Sequence, residues 1–135
     1  LRADITKAFN AMKEHLSLEV PELGTIITHW EDPFLVPKNR TIMLPDSHSG
    51  TNDRLAFTVI LWASTVEKTA DAIAQTQMAV MEKIFRAVHG NIPQPLISAA
   101  VNSADYFDPA PQSPTVGVLR VFIEMTVDFI DDCGM

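Results

Sequence analysis

Cysteine is almost missing from this chain: Cys133 is the only one, so no disulfide can close within one copy and no thiolate metal site can be built. It reads as a tail thiol. Glycine is scarce too, five in 135 residues, and the five form no phosphate-cradling loop. Basic residues are outnumbered, 10 Lys and Arg against 17 Asp and Glu for a formal charge of −7. They are scattered from Arg2 to Arg120, whereas phosphate contact needs them clustered, which argues against a nucleic-acid partner. Long apolar runs are lacking as well. The longest, Leu55 to Ala63, is about half of what a bilayer crossing needs and contains Thr58, so no membrane span is expected. The opening Leu1-Arg2-Ala3-Asp4 has no charged-then-apolar leader pattern, which makes the cytoplasm the expected compartment.

What is present is a globular composition, 47% hydrophobic, enough for a single α+β domain over residues 1–135 with its own core. The organising stretch runs from Ser64 to His89, where Val66, Ala70, Ile73, Gln77, Met81, Ile84 and Val88 recur at helical spacing. Ala74, Val80 and Phe85 widen that stripe, so one face of the helix can lie on a sheet. Ser64 with Glu67 three residues on forms a capping-box pattern, and Gly90 followed by Pro93 and Pro95 is a stop signal.

In chain order, Asp4 to Leu16 is predicted as a first amphipathic helix on the spacing of Ile5, Ala8, Phe9, Met12 and Leu16. Pro21 and Gly24 break the chain, and Thr25 to Trp30 is β-prone before the turn signals Asp32-Pro33 and Pro37. Thr41 to Leu44 is a short strand ended by Pro45, and Pro45 to Arg54 is a polar, solvent-exposed connection longer than a tight hairpin needs. Leu55 to Ala63 is apolar on both faces and therefore expected to be central, covered on both sides or by a subunit neighbour on one. Ile97 to Tyr106 is a fourth strand. Phe107 to Thr115 is a linker stiffened by Pro109, Pro111 and Pro114. The last strand alternates clearly, with Leu119, Val121, Ile123, Met125, Val127 and Phe129 on a core face. Its other face is polar except for Phe122. The predicted fold is a largely antiparallel sheet of about five strands in the order α-β-β-β-α-β-β, both helices packed on one face.

Asp46, His48 and Ser49 have hydrolase-triad residue types, but a flexible polar loop does not fix triad geometry, and these are also the residues of an exposed turn. His29, Asp32, Asp46 and His48 have nitrogen and oxygen ligand types, but their spacing gives a metal site no support. Glu31-Asp32, Asp105 with Asp108, and Asp131-Asp132 read as solvated strand ends rather than acid–base pairs. Met12, Met43, Met78 and Met81 read as core filler. Trp30 and Trp62 are anchors of a core or of a contact surface. No catalytic residue, cofactor or metal is expected, and long strands with protruding connections suit assembly into a ring or filament.

The layout resembles the tail-terminator proteins of long-tailed bacteriophages, the minor tail protein U type, with the related tail-completion and neck proteins. The residues LAFTVILWASTVEKTADAIAQTQMAVMEKIF and GVLRVFIEMTVDFID carry the likeness, which spans Asp4 to Asp132. That family has no short invariant motif, so no functional residue is transferred by position. The resemblance implies a non-enzymatic virion protein, made in the bacterial host cytoplasm. It would form a hexameric ring of identical copies on the tail tube protein and offer a surface to the head-completion protein. Two polar projections beside the sheet edge are the expected contacts: Trp30, Glu31, Asp32 and Phe34 in one, Asp46, His48, Asp53 and Arg54 in the other. A head–tail neck or adaptor protein shares this layout with a different partner. The competing class is a hot-dog-like thioesterase or other small-molecule-binding α+β enzyme, which would use an acid such as Glu67 or Asp71 near the start of the long helix. Both acids also suit a first helical turn.

Overall fold

The computed structural model describes residues 2–50, 54–107 and 115–130. A two-residue strand β1 (Arg2–Ala3) leads into helix α1 (Ile5–Glu19), capped by the Asp4 carboxylate, which accepts from the Lys7 backbone N–H. A single 3-10 turn (Pro21–Leu23) follows, then strands β2 (Thr25–Ile27), β3 (Arg40–Gly50) and β4 (Arg54–Val66), helix α2 (Ala70–His89), and strands β5 (Leu96–Phe107) and β6 (Val116–Ile130). The main elements fall in the predicted order α-β-β-β-α-β-β.

The sheet is ordered β6-β4-β3-β2, with β5 and the short β1 sharing the other edge of β6. All pairings are antiparallel except β2 with β3. That parallel pair requires a crossover, since a hairpin cannot join parallel strands. Residues 28–39 supply it, and side chains fasten its ends: Thr41 Oγ1 donates to the Leu23 carbonyl at 2.8 Å, and Asn39 Oδ1 accepts from the Val66 N–H at 2.8 Å. Gly24 makes the entry turn at φ +67°, where a Cβ would also sit 2.1 Å from the Asn39 carbonyl oxygen.

Both helices cover one face. Ala8, Met12 and Leu16 of α1 and Val80, Ile84, Ala87 and Val88 of α2 pack into one core. The sheet contributes Leu55, Phe57, Val59, Leu61 and Ala63 of β4 and Leu119, Val121, Ile123, Met125 and Val127 of β6. Polar bonds add orientation to this apolar layer: His15 Nε2 meets the Ala87 carbonyl oxygen at 2.9 Å between the helices, and His89 Nε2 accepts from the Val101 N–H at 3.1 Å. Gly117 lets α2 approach the sheet closely, because a Cβ there would lie 2.3 Å from Ile73 Cγ2.

Several boundaries differ from the sequence expectations. α2 begins at Ala70 with Thr69 as its cap, not at Ser64. Ser64 belongs to β4, and its hydroxyl donates to the Pro33 carbonyl at 2.5 Å. The run Ser64-Thr65-Val66, which ends in two β-branched residues and is paired throughout with β6, prevails over the capping-box pattern. The polar stretch after Pro45 is likewise strand: β3 passes Pro45 through a bulge and pairs with β4 as far as Gly50. Pro45 has no N–H to donate, so a bulge near the outer edge accommodates it. β2 stops at Ile27 rather than Trp30. Ala74 and Phe85 face outward instead of widening the buried stripe of α2, and Met78 is exposed while Met12 and Met43 are fully buried. The interior of the Pro-rich linker, Asp108, Asp131, Asp132 and Cys133 lie outside the described residues.

Candidate interaction surfaces

The sheet face opposite the helices carries a half-exposed aromatic platform. β4 alternates, so Leu61 and Ala63 point into the core while Ile60 and Trp62 point to the open side. Register places Trp62 beside Arg120 and Ile60 beside Phe122 of β6, and Arg120 in turn beside Asp105 of β5. The Arg120 guanidinium lies over Trp62, Phe107 and Phe122 at 5.3, 5.1 and 5.1 Å from the ring centres. Asp105 Oδ2 accepts from it at 2.8 and 3.2 Å, so this acid is ion-paired rather than simply solvated. Trp62 also stacks with Phe107, centroids 6.2 Å apart. Such a cluster is held in place by its own contacts and presents Trp and Arg, two of the residue types that dominate protein contact energies, beside two Phe rings.

The crossover segment rests on this platform. Trp30 meets Trp62 edge to face at 5.2 Å. Beyond it, Asp32 Oδ1 accepts from the Phe34 N–H at 2.9 Å and the Asp32 carbonyl from the Leu35 N–H at 3.2 Å, closing a tight turn. Pro33 and Val36 are buried under it, whereas Trp30 and Leu35 are 56% and 65% exposed. Glu31 is bound by Arg40 at 2.5 Å and by His29 at 3.1 Å. The His29 hydrogen bond, and then the Arg40 charge, hold its carboxyl below the ordinary glutamate range.

The sequence-selected contact residues therefore form two separate groups. Trp30, Glu31, Asp32 and Phe34 gather at the sheet end where Arg40 pairs with Ser64. Asp46, His48 and Arg54 lie toward the opposite end, where His48 pairs with Phe57 and Arg54 with Asp128, roughly 20–35 Å along the strands. Asp53 lies outside the described residues. Asp46, His48 and Ser49 are exposed strand residues, and His48 and Ser49 point to opposite faces of β3. Among the described residues no group of three or more His, Cys, Asp or Glu could hold a metal ion, and no helix is long and apolar enough to cross a membrane. No protein-family model matches the chain, and comparison with curated proteins gives no match.

On the helix side a second apolar surface runs between α2 and β5. Met78, Met81, Phe85 and Tyr106 line a shallow groove of about 630 Å³, continuous through Met78 and Tyr106 with a smaller hollow beside Ile73 and Ala74. Gln77 is buried at its inner wall, its Nε2 without a hydrogen-bond partner and directed at Gly117. A cleft between the two helices is polar instead, lined by His15, Glu19, Lys83 and Arg86, with Lys83 paired to Glu22. At the start of α2, Glu67 accepts from the Thr76 hydroxyl at 3.1 Å and Asp71 is a first-turn exposed acid.

Leu35, Tyr106, Arg120 and Phe107 were not selected by sequence reasoning. Phe122, the one apolar residue on the polar face of the last strand, was the available signal. The cross-strand register that surrounds Arg120 with rings was not readable without the strand pairing.

Proposed function

We propose that this is a structural, non-enzymatic protein of the tail-terminator kind, which works by forming a ring of identical copies that caps a tail tube. The observation that carries the reading is the distribution of apolar surface. Apart from Leu18 and Ile97, the exposed large apolar side chains among the described residues fall into two patches on opposite faces of the sheet, Trp30 with Leu35 and Met78 with Phe85 and Tyr106. Surfaces of that kind suit contact with neighbouring proteins better than the enclosure of a substrate. The element order agrees with the layout that the resemblance implies. In this reading the Trp30–Phe34 segment is a subunit contact, and the arm from Asp46 to Arg54, including Asp53, touches the tube. The head-completion protein binds the ring's other side, and assembly takes place in the cytoplasm of a bacterial host before incorporation into the virion tail.

Electron microscopy of the purified protein tests this. Six-fold rings with an open lumen are expected. Closed two-fold dimers that turn over acyl-CoA substrates would replace the reading with the thioesterase alternative. Removal of residues 46–54 that costs neither fold nor assembly would overturn the assignment of that arm as a contact.

A further inference from the structure

We propose that the outer edge of β5 receives an extended segment of another protein as an added strand, its apolar side chains entering the groove beside α2 and a Lys or Arg meeting Asp105. The proposal goes beyond the ring reading and does not depend on it.

β5 is paired on one side only. Among the described residues its ladder partner is β6 alone. The first part of its outer edge is poorly suited to a further strand. Bulges interrupt the register between Leu96 and Ser98 and between Val101 and Ser103, and the Val101 N–H already donates to His89 Nε2. From Ser103 to Phe107, opposite Phe122 to Val118, the register is unbroken. That run offers a regular row of backbone donors and acceptors, which another extended backbone completes. A helix laid in the groove would leave the row unpaired.

The side chains beside the edge select what the added strand carries. Ala104 and Tyr106 are in register with Val121 and Leu119 of the helix-side core, so they face α2. There Met78, Met81, Phe85 and Tyr106 line the groove of about 630 Å³, and Met78, Phe85 and Tyr106 are each about half exposed. Alternate apolar side chains of an added strand fall on this side, and methionine adapts to their shape. Asp105 is on the opposite, open face with Arg120. Both Arg120 hydrogen bonds go to its Oδ2, and its Oδ1 has no partner among the described residues. The Asp105 side chain is 46% exposed. A Lys or Arg directly across from it extends the row Trp62, Arg120, Asp105 by one more opposite charge.

Charge favours another protein over a second copy. A formal charge of −7 makes copies of this chain repel one another and draws in a basic segment. The chain's own Arg40 and Arg120 lie at strand positions already paired on both sides, so a neighbouring copy has neither of them free to offer.

The probe is a blocked, fluorescein-labelled peptide of alternating valine and lysine, about seven residues long, titrated into the full-length chain and read by anisotropy. It should bind with a Kd below about 1 mM. The same peptide with glutamate for lysine should bind at least about tenfold more weakly, and Asp105→Asn should cut that preference at least about threefold. Two further analogues carry N-methyl groups on alternate backbone nitrogens, one on each edge of the strand. The one methylated on the edge facing β5 should lose at least about tenfold and the other should bind as the parent does. Met78→Arg, folded by circular dichroism, should also lose at least about tenfold. No binding up to about 1 mM, or equal affinity of the two methylated analogues, would overturn the proposal. So would hydrogen-exchange protection of the 103–107 amides that grows with protein concentration in the absence of peptide, which would assign the edge to a second copy. If Asp105→Asn unfolds, the methylated pair decides alone. A failed peptide leaves the ring reading in place, and a chain that forms no rings leaves this contact in place.

Discussion

Trp30 and Trp62 meet edge to face, centroids 5.2 Å apart, and this contact anchors the crossover segment between β2 and β3 to the open face of the sheet. Trp30→Ala should destabilise the fold by about 1 kcal/mol, the scale of an aromatic pair. Its larger effect should be local. Hydrogen exchange at the Leu35 amide should accelerate while amides in β6 keep their protection, because the segment can open without unfolding the core. Equal acceleration in both would show that the segment is not a separate unit.

Two glycines are required for different reasons. Gly24 combines a φ of +67° with a Cβ position 2.1 Å from the Asn39 oxygen, so Gly24→Ala should cost about 1–3 kcal/mol through strain. At Gly117 the obstacle is the helix: a Cβ would meet Ile73 Cγ2 at 2.3 Å and Gln77 Nε2 at 2.8 Å. Gly117→Ala should therefore lift the start of α2 and cost about 1–3 kcal/mol as overpacking. Urea unfolding midpoints check both.

Adjacent positions on α2 should respond oppositely. Ile84 is 0% exposed and Phe85 51%. Ile84→Ala should lose about 2–5 kcal/mol, whereas Phe85→Ala should lose only about 0.5–1.5 kcal/mol, the scale of its ring stack on His89. The same two variants, titrated with the valine and lysine peptide, should separate stability from recognition: the Phe85 change weakens binding in a folded protein.

Acid should remove part of the stability. Lys83, hydrogen-bonded to Glu22, holds that carboxyl below its ordinary value of 4.5. The unfolded chain therefore takes up this proton at a higher pH than the folded chain. The contribution is full above the ordinary value and is lost as pH falls through it to the lower folded value. Glu22→Gln should lower stability at neutral pH by no more than about 1 kcal/mol, since the pair is partly solvated. The gap between variant and wild type should close in acid. A gap that persists unchanged at low pH would assign the effect to packing.

Periodicity made the architecture legible. The alternation from Leu119 to Phe129 and the helical spacing from Ile73 to Val88 are long signals, and α2, β6, the element order and the one-faced helix layer follow from them. Local signals failed where pairing competed with them. Ser64 looked like a helix cap because the sequence does not show that β6 runs alongside it as far as Val66. The segment after Pro45 looked like a loop because its residues are polar on both faces, which an exposed strand arm permits. For the candidate surfaces, Trp30 and Asp32 were visible as an aromatic beside a turn. Arg120 was not, because its importance comes from Asp105 and Phe107 on β5 and Trp62 on β4, brought together only by register.

The central claim is that this chain acts by assembling with copies of itself. The most direct test is the assembled mass by light scattering over a wide range of protein concentration, repeated at low and high salt. The account predicts a particle of six copies whose formation responds to salt, because salt would screen a mixed polar ring interface. A particle that never exceeds two copies at any concentration or salt would contradict it.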